Sequence, residues 1–284
     1  MGCRTPLSKT NCFRMLTGQI RDKAPRLPPI VGLIATLPTR DTLMSVALPS
    51  IAKQTRQLDA LVIVVDNSAL PAGMVRALGE LMPCIPLHLL SNTRAPGAAN
   101  TWNIGIEHIA DRFPEAYVAI LDDDDQWDSD HLGICEVTAG SAGWPDVVIS
   151  GIRMRINGEE VPRDPPQTLF IEEFLIGNPG WQGSNTFIRL STLIKAGLFT
   201  EGLRSCNDRD LAIRVLSLNA SRFAFTGRHT ASWNLDTAKS CLSSRRGEAK
   251  HAGLARFFAL HGDRMNETVR RRFFERSEKL FGWS

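Results

Sequence analysis

The chain has 284 residues, 43% hydrophobic and 22% charged, which is material for one large domain or two small ones and the balance of a soluble globular protein. Its formal charge is +3, but Arg4, Lys9, Arg14, Arg21, Lys23 and Arg26 stand against Asp22 alone, so residues 1–26 hold +5 and the remainder about −2. A weakly acidic body behind a basic leader excludes a nucleic-acid platform, and no run of 18 apolar residues marks a membrane span.

The leader reads as a solvated tail over residues 1–28, with Met15 an alternative start and no apolar stretch of signal-peptide length. The six cysteines have no CxxC pair and no zinc-ligand spacing, so the expectation is free thiols in a cytoplasmic protein.

Ile30 to Thr36 reads as a first buried strand, and Leu43, Val46, Ala47, Leu48 and Ile51 recur at helical spacing. Pro49 inside that pattern predicts a kink or a shorter helix. Leu61 to Val65 is a second strand ending in Asp66-Asn67-Ser68, residues 71–82 a helix, Ile85 to Leu90 a third strand, and residues 98–112 another helix. Tyr117 to Leu121 then forms an apolar strand that runs straight into four aspartates, Asp122 to Asp125. Strands of nearly continuous apolar character alternating with helices predict a mostly parallel sheet covered on both faces. Ligands of such sheets bind beyond the carboxyl ends of the strands, where Thr36, Asp66, Asn92 and the tetrad all fall.

Beyond residue 140 the rhythm changes. Asp146 to Ser150 reads as a strand, Ile152 to Ile156 before Asn157-Gly158 as part of a hairpin, and Glu159 to Pro166 as a polar loop. Ser184 to Leu190 reads as a strand, residues 191–197 as a short helix, and Asn207 to Leu218 as a helix with Asp208 in its first turn. Helices follow at about 247–261 and 264–281, the latter carrying Arg270, Arg271 and Arg272 on a solvated face that could also meet anionic lipid.

The tetrad admits two readings on its own. Four like charges at a strand end repel one another unless a hard cation compensates them, or they form a solvated turn before the next helix. The wider pattern narrows the choice. VGLIATLPTR with LPSIAKQT, LVIVVDNS, the Gly97–Asn103–Gly105 spacing, ILDDDDQW and NDRDLAIR occur in the order found in glycosyltransferase family 2, which this chain resembles over about residues 30–235. Asn67, Trp102 and Asn207 depart from the family's usual residues.

The resemblance implies an α/β protein, a single GT-A (Rossmann-like) domain with a mostly parallel central sheet flanked by helices. That domain would span residues 29–235, with a nucleotide-binding half at 29–127 and an acceptor-side half at 128–235. Residues 236–284 would form a C-terminal helical extension. It implies an inverting, metal-dependent transfer from a nucleotide-diphospho-sugar, UDP-linked by preference, with Mn²⁺ or Mg²⁺ as cofactor. Asp208 would be the catalytic base, where the bare residue reads only as a helix-start carboxylate. Thr36, Arg40, Asp66, Arg94, Gly97, Asn103, Asp122 and Asp123 would line the donor pocket. Asp124 would be the direct metal ligand, with Asp122 its partner in the DXD pair and His229, on a flexible loop, a further ligand. Trp181, Gln182 and Asn207 would face the acceptor, Trp181 either stacking on it or filling the core. The acceptor itself is open among saccharide, lipid-linked, natural-product and peptide molecules.

The same residues speak against three other functions. A nucleotidyltransferase wants a glycine-rich phosphate loop after the first strand, where this chain has ATLPTRD. A non-catalytic nucleotide-sugar-binding module has no reason to keep both the tetrad and Asp208. A calcium loop lacks its central glycine and closing glutamate.

Overall fold

The computed structural model describes residues 27–235 and 247–284; the basic leader and Cys3, Cys12 and Cys241 lie outside these residues. Strands β1 (Ile30–Thr36), β2 (Ala60–Asp66), β3 (Leu87–Asn92) and β4 (Tyr117–Ile120) run parallel, in the order β3-β2-β1-β4. Their apolar continuity has a simple cause, since both faces are covered. Val31, Leu33, Val62, Val64, Val118 and Ile120 point into one core, while Ile30, Ile34, Leu61, Ile63, Val65, Tyr117 and Ala119 point into the other.

Helix α1 (Leu48–Ala52) is preceded by a π-helical turn, Leu43–Ala47. Pro49 has no N–H for the carbonyl four residues back, and the wider turn absorbs that gap without ending the helix. Helix α2 (Ala72–Leu81) and the long α3 (Ala98–Arg112) follow as expected. Gly105 is what lets α3 lie on the sheet. A Cβ there would meet Leu33 Cδ1 at 2.3 Å and Val64 Cγ2 at 3.0 Å.

After β4 come the two-residue β5 (Gln126–Trp127), α4 (His131–Ser141), β6 (Val147–Ile156) and β7 (Glu159–Val161). Two corrections to the sequence reading arise here. The segments on either side of Gly151 form one continuous strand, and the first three residues of the expected polar loop pair with it. Asn157 and Gly158, both at positive φ (49° and 87°), make the tight turn between them. Helix α5 (Ile171–Ile176), β8 (Thr186–Arg189), α6 (Leu190–Lys195) and α7 (Asn207–Leu216) complete the second half, with β9 (Phe223–Leu235).

β8 pairs antiparallel with both β4 and β6, so it joins the parallel half to the rest of the sheet. β9 runs parallel to β6 through a bulge beside Gly151. The parallel pairings are long and the antiparallel ones short, so the α/β reading with a mostly parallel sheet holds. The thirteen-residue β9 was not expected, because Gly227-Arg228-His229 interrupts its apolar pattern.

Helices α8 (Glu248–His261) and α9 (Glu267–Phe281) pack against the second half. Phe257 and Phe273 are fully buried in the same core as α5 and α7. Arg209 of α7 is clasped there. Its guanidinium donates to the Phe174 and Leu175 carbonyls at 2.8 and 2.9 Å and lies 4.1 Å over the Phe257 ring. Desolvation lowers its pKa from the usual value.

Candidate active site

The carboxyl ends of β3, β2, β1 and β4 line up Asn92, Asp66, Thr36 and the tetrad along one edge of the sheet. Asp66 is held firmly. Its Oδ1 accepts from Asn92 Nδ2 at 2.6 Å, and its Oδ2 accepts from the Gly97 N–H at 2.9 Å. Gly97 has φ 139°, a conformation open to glycine, and it is the residue before α3.

The four aspartates divide by environment. Asp123 is buried and accepts from the Thr36 hydroxyl at 2.6 Å and from the Leu37 N–H, with Arg40 Nε at 3.9 Å. Thr36 and Asp123 are therefore committed to each other as the wall between β1 and β4. Asp124 is half-exposed and pairs with Arg40 Nη1 at 3.3 Å. Asp125 is fully buried, and Asp122 is half-buried beside it. The Asp122 N–H donates to Ser184 Oγ at 3.1 Å, while Ser184 donates to Asp125 Oδ2 at 2.5 Å. Desolvation and the neighbouring aspartates push both carboxyls well above the usual range, Asp125 acting on Asp122 and Asp124 on Asp125.

That arrangement fits a divalent cation. Asp125 Oδ1 is fully buried with no hydrogen-bond partner among the described residues, and an orphaned carboxylate oxygen of this kind is costly. Among the described residues no group of three or more His, Cys, Asp or Glu side chains is placed to hold a metal ion by itself. The set suits an ion held by one or two carboxylates with phosphate oxygens completing its shell, the manner of Mg²⁺ and Mn²⁺ nucleotide sites.

Asp208 lies in the first turn of α7, facing the tetrad. The Gly183 N–H donates to its carboxylate, and Gly183 also backs Asp122, since a Cβ there would lie 3.0 Å from Asp122 Oδ1. Desolvation raises Asp208 to about 6, against the opposing pull of Lys250 and the Gly183 N–H. Cys206, just before α7, has a left-handed backbone (φ 68°) that turns the chain into the helix. Asp210 has the opposite environment. It accepts from Thr200, Arg214 and His261, and despite burial these partners hold it down at about 2.

Several sequence-level assignments change. Asn103 exchanges two hydrogen bonds of 2.9 Å with the backbone of Phe199, so it braces the loop before α7 and does not line the donor pocket. The Arg94 guanidinium is engaged by Glu107 and Glu201, at 2.7 and 3.3 Å. Trp181 is buried, donates to Thr186 Oγ1 at 2.7 Å and packs edge-on against Phe174 and Phe223, which decides for the core. Gln182 caps the turn Gly183–Asn185. Asn207 is buried with its Oδ1 unpartnered among the described residues.

His229 is on β9, not on a flexible loop. Its carbonyl accepts from Arg153, and its ring lies against Gly151. The residue of β9 that reaches the tetrad is Asn234, whose N–H donates to Asp125. Five residues of extended chain separate the two, roughly 15 Å. Gly183 and Ser184 lie in the segment GWQGS, which resembles the family's acceptor side, but neither their contacts with the aspartates nor Lys250 were expected. Ser184 and Gly183 could have been read from GWQGS only with the antiparallel β4–β8 pairing in hand, and Lys250 lies in a helix with no motif.

A mixed sheet with a parallel first half, an acidic strand end and an opposed carboxylate has the architecture of a GT-A glycosyltransferase. The sequence profile of glycosyl transferase family 2 matches residues 43–201, and the chain belongs to that family. Solved structures with the same fold include TarS 1–349 of S. aureus in complex with UDP-GlcNAc, with TM-score 0.63 and 15% identity over 88% of this chain and 73% of that one. The mannosyltransferase PcManGT from Pyrobaculum calidifontis, in complex with GDP-Man and Mn²⁺, aligns with TM-score 0.55 and 18% identity over 89% and 70%. No curated protein sequence gives a significant match. Among the described residues no helix is long and apolar enough to cross a membrane.

Proposed function

We propose that this glycosyltransferase moves a sugar from a nucleotide-diphospho-sugar to an acceptor hydroxyl with inversion at the anomeric carbon, and that it depends on Mn²⁺ or Mg²⁺. The observation that carries the reading is the placement of Asp208 opposite the aspartate tetrad, with Gly183 bridging the two. Asp66, fixed by Asn92 and Gly97, is oriented to accept a hydrogen bond from the nucleoside. Asp124 and Asp125 offer the outward-facing and orphaned carboxylate oxygens that would hold the cation, with Asp122 behind them. The ion, when bound, supplies Lewis-acid neutralisation of the departing diphosphate.

Asp208 takes the acceptor hydroxyl's proton as the oxygen attacks. A carboxylate raised to about 6 is ionised at neutral pH yet more basic than an exposed aspartate. Attack from the Asp208 side, across from the diphosphate, makes a single displacement with inversion. UDP is favoured because the similar TarS structure is complexed with UDP-GlcNAc, and GDP is the competing base because PcManGT holds GDP-Man.

Calorimetry with UDP-, GDP- and dTDP-sugars, with and without Mn²⁺, tests the reading. Metal-dependent binding of one nucleotide class is expected, retained in Asp208→Asn while turnover is lost. Normal turnover by Asp208→Asn removes the base assignment, and absence of any nucleotide binding removes the proposal.

A further inference from the structure

Lys250 projects from α8 towards Asp208 and Cys206, and its ammonium lies 4.5 Å over the Phe281 ring. Its surroundings are otherwise positive, with Arg209 and Arg276 both bearing on it. Arg276 of α9 lies against Gly177, where a Cβ would sit 2.5 Å from its Nε. Arg163 lies against Gly180, 3.1 Å from where a Cβ would be, and donates to the Asn178 carbonyl at 3.1 Å. Gly180 has φ 137°, so neither the backbone nor the space admits a side chain there without strain. The segment carrying these glycines leads directly to Gly183, the donor to Asp208.

Lys250 thus stands beside the base, while Arg276 and Arg163 flank the Gly177–Gly180 segment that leads to Gly183. Burial lowers both Arg163 and Lys250, and the Arg276 charge lowers them further. Among the described residues none of the three forms an ion pair with a carboxylate. Glu248 is engaged by Arg204 at 3.3 Å and Glu275 by Arg271 at 3.7 Å. Of the three cations, Asp208 bears only on Lys250. Arg209 is already satisfied by two carbonyls. Like charges gathered around one segment repel one another, and a bound anion relieves that repulsion.

The Gly177–Gly183 segment runs into β8, which pairs with β4 on the side away from Asp66 and Thr36 on β2 and β1. An anion there belongs with the acceptor and not with the donor's nucleoside end.

We propose that Lys250, Arg276 and Arg163 form a subsite for a phosphate group carried by the acceptor, close to the hydroxyl that Asp208 deprotonates. Two guanidiniums and an ammonium match the several oxygens of a phosphate monoester or diester. The inference rests on the glycosyltransferase reading of the same cleft. It extends that reading to the acceptor's chemistry.

The test uses the full chain with glycerol 1-phosphate as probe, titrated at constant ionic strength by calorimetry, with UDP titrated separately. Wild type is expected to bind glycerol 1-phosphate saturably, and the Arg163→Gln/Arg276→Gln double variant at least about tenfold more weakly. UDP affinity should stay within about twofold, and Arg276→Lys should retain part of the phosphate affinity. Thermal melts verify folding, and Arg276→Gln alone, at an exposed position, serves if the double variant unfolds. Sedimentation with phosphatidylglycerol vesicles, set against phosphatidylcholine vesicles, separates a lipid headgroup from a soluble phosphate. Wild-type but not variant binding in either arm supports the subsite. The inference is overturned by absence of binding in both arms, by equal binding of the variant, by preference for glucuronate over phosphate, or by a parallel loss of UDP affinity. Phosphate binding without any nucleotide binding would instead refute the donor assignment and leave the anion site standing.

Discussion

Asp208 and Asp210 stand two residues apart on α7 and should respond oppositely to the same change. In Asp210→Asn the side chain keeps its size but loses its charge, facing Arg214 Nη2 at 2.8 Å and His261 Nε2 at 2.8 Å. A carboxyl held at about 2 in place of its ordinary 3.8 corresponds to about 2 kcal/mol of folded-state preference for the charged form. Breaking a buried pair from one side costs about 3–5 kcal/mol, and the partial exposure of Arg214 places this case at or below the lower end. A loss of about 2–3 kcal/mol is therefore expected, or a fall in melting temperature of roughly 4–12 °C for a chain of this size. Because the folded pKa is depressed, the contribution is present above pH 3.8 and fades as the pH falls through about 2. Urea unfolding followed by circular dichroism at pH 7 measures it. Turnover per folded molecule should change little, since Asp210 faces Thr200 and the C-terminal helices. A stability loss below about 0.5 kcal/mol would refute the assignment of Asp210 as a buried anchor.

Three further outcomes follow from the site and its packing. The pH profile of kcat/KM should fall on the acid side with a midpoint near 6, as Asp208 becomes protonated; a flat profile down to pH 5 would speak against it. Chelation with EDTA should abolish turnover, and Mn²⁺ should restore it in wild type but not in Asp124→Asn. Full activity in EDTA contradicts the metal reading. Gly105→Ala forces a methyl against Leu33 and Val64 and should cost about 1–3 kcal/mol in chemical denaturation, and an unchanged midpoint would show that α3 can shift without penalty.

Much of the first half was legible because its strands are buried on both faces. Continuous apolar runs, each ended by a polar residue, marked β1, β2 and β4 and placed Thr36, Asp66 and the tetrad on one edge. The second half was less legible. Gly151 and Gly227 break the apolar pattern of β6 and β9 where a bulge and a turn require them, so one strand was divided and the other missed. Asn103 and Trp181 show a different limit. A polar or aromatic residue at a motif position does not reveal whether it faces a ligand or a neighbouring backbone, and both face inwards.

By itself the sequence determined the α/β class, the acidic strand end and the presence of a second carboxylate in the NDRD helix, because these depend on local periodicity and on residue type. Only the tertiary structure decided how differently the four aspartates are surrounded, since that depends on Ser184, in the turn before β8, and Asn234 of β9 reaching Asp125. The same holds for Lys250, Arg276 and Arg163. They lie far apart in the chain and acquire a shared meaning when α8 and α9 pack beside Asp208 and the Gly177–Gly180 segment.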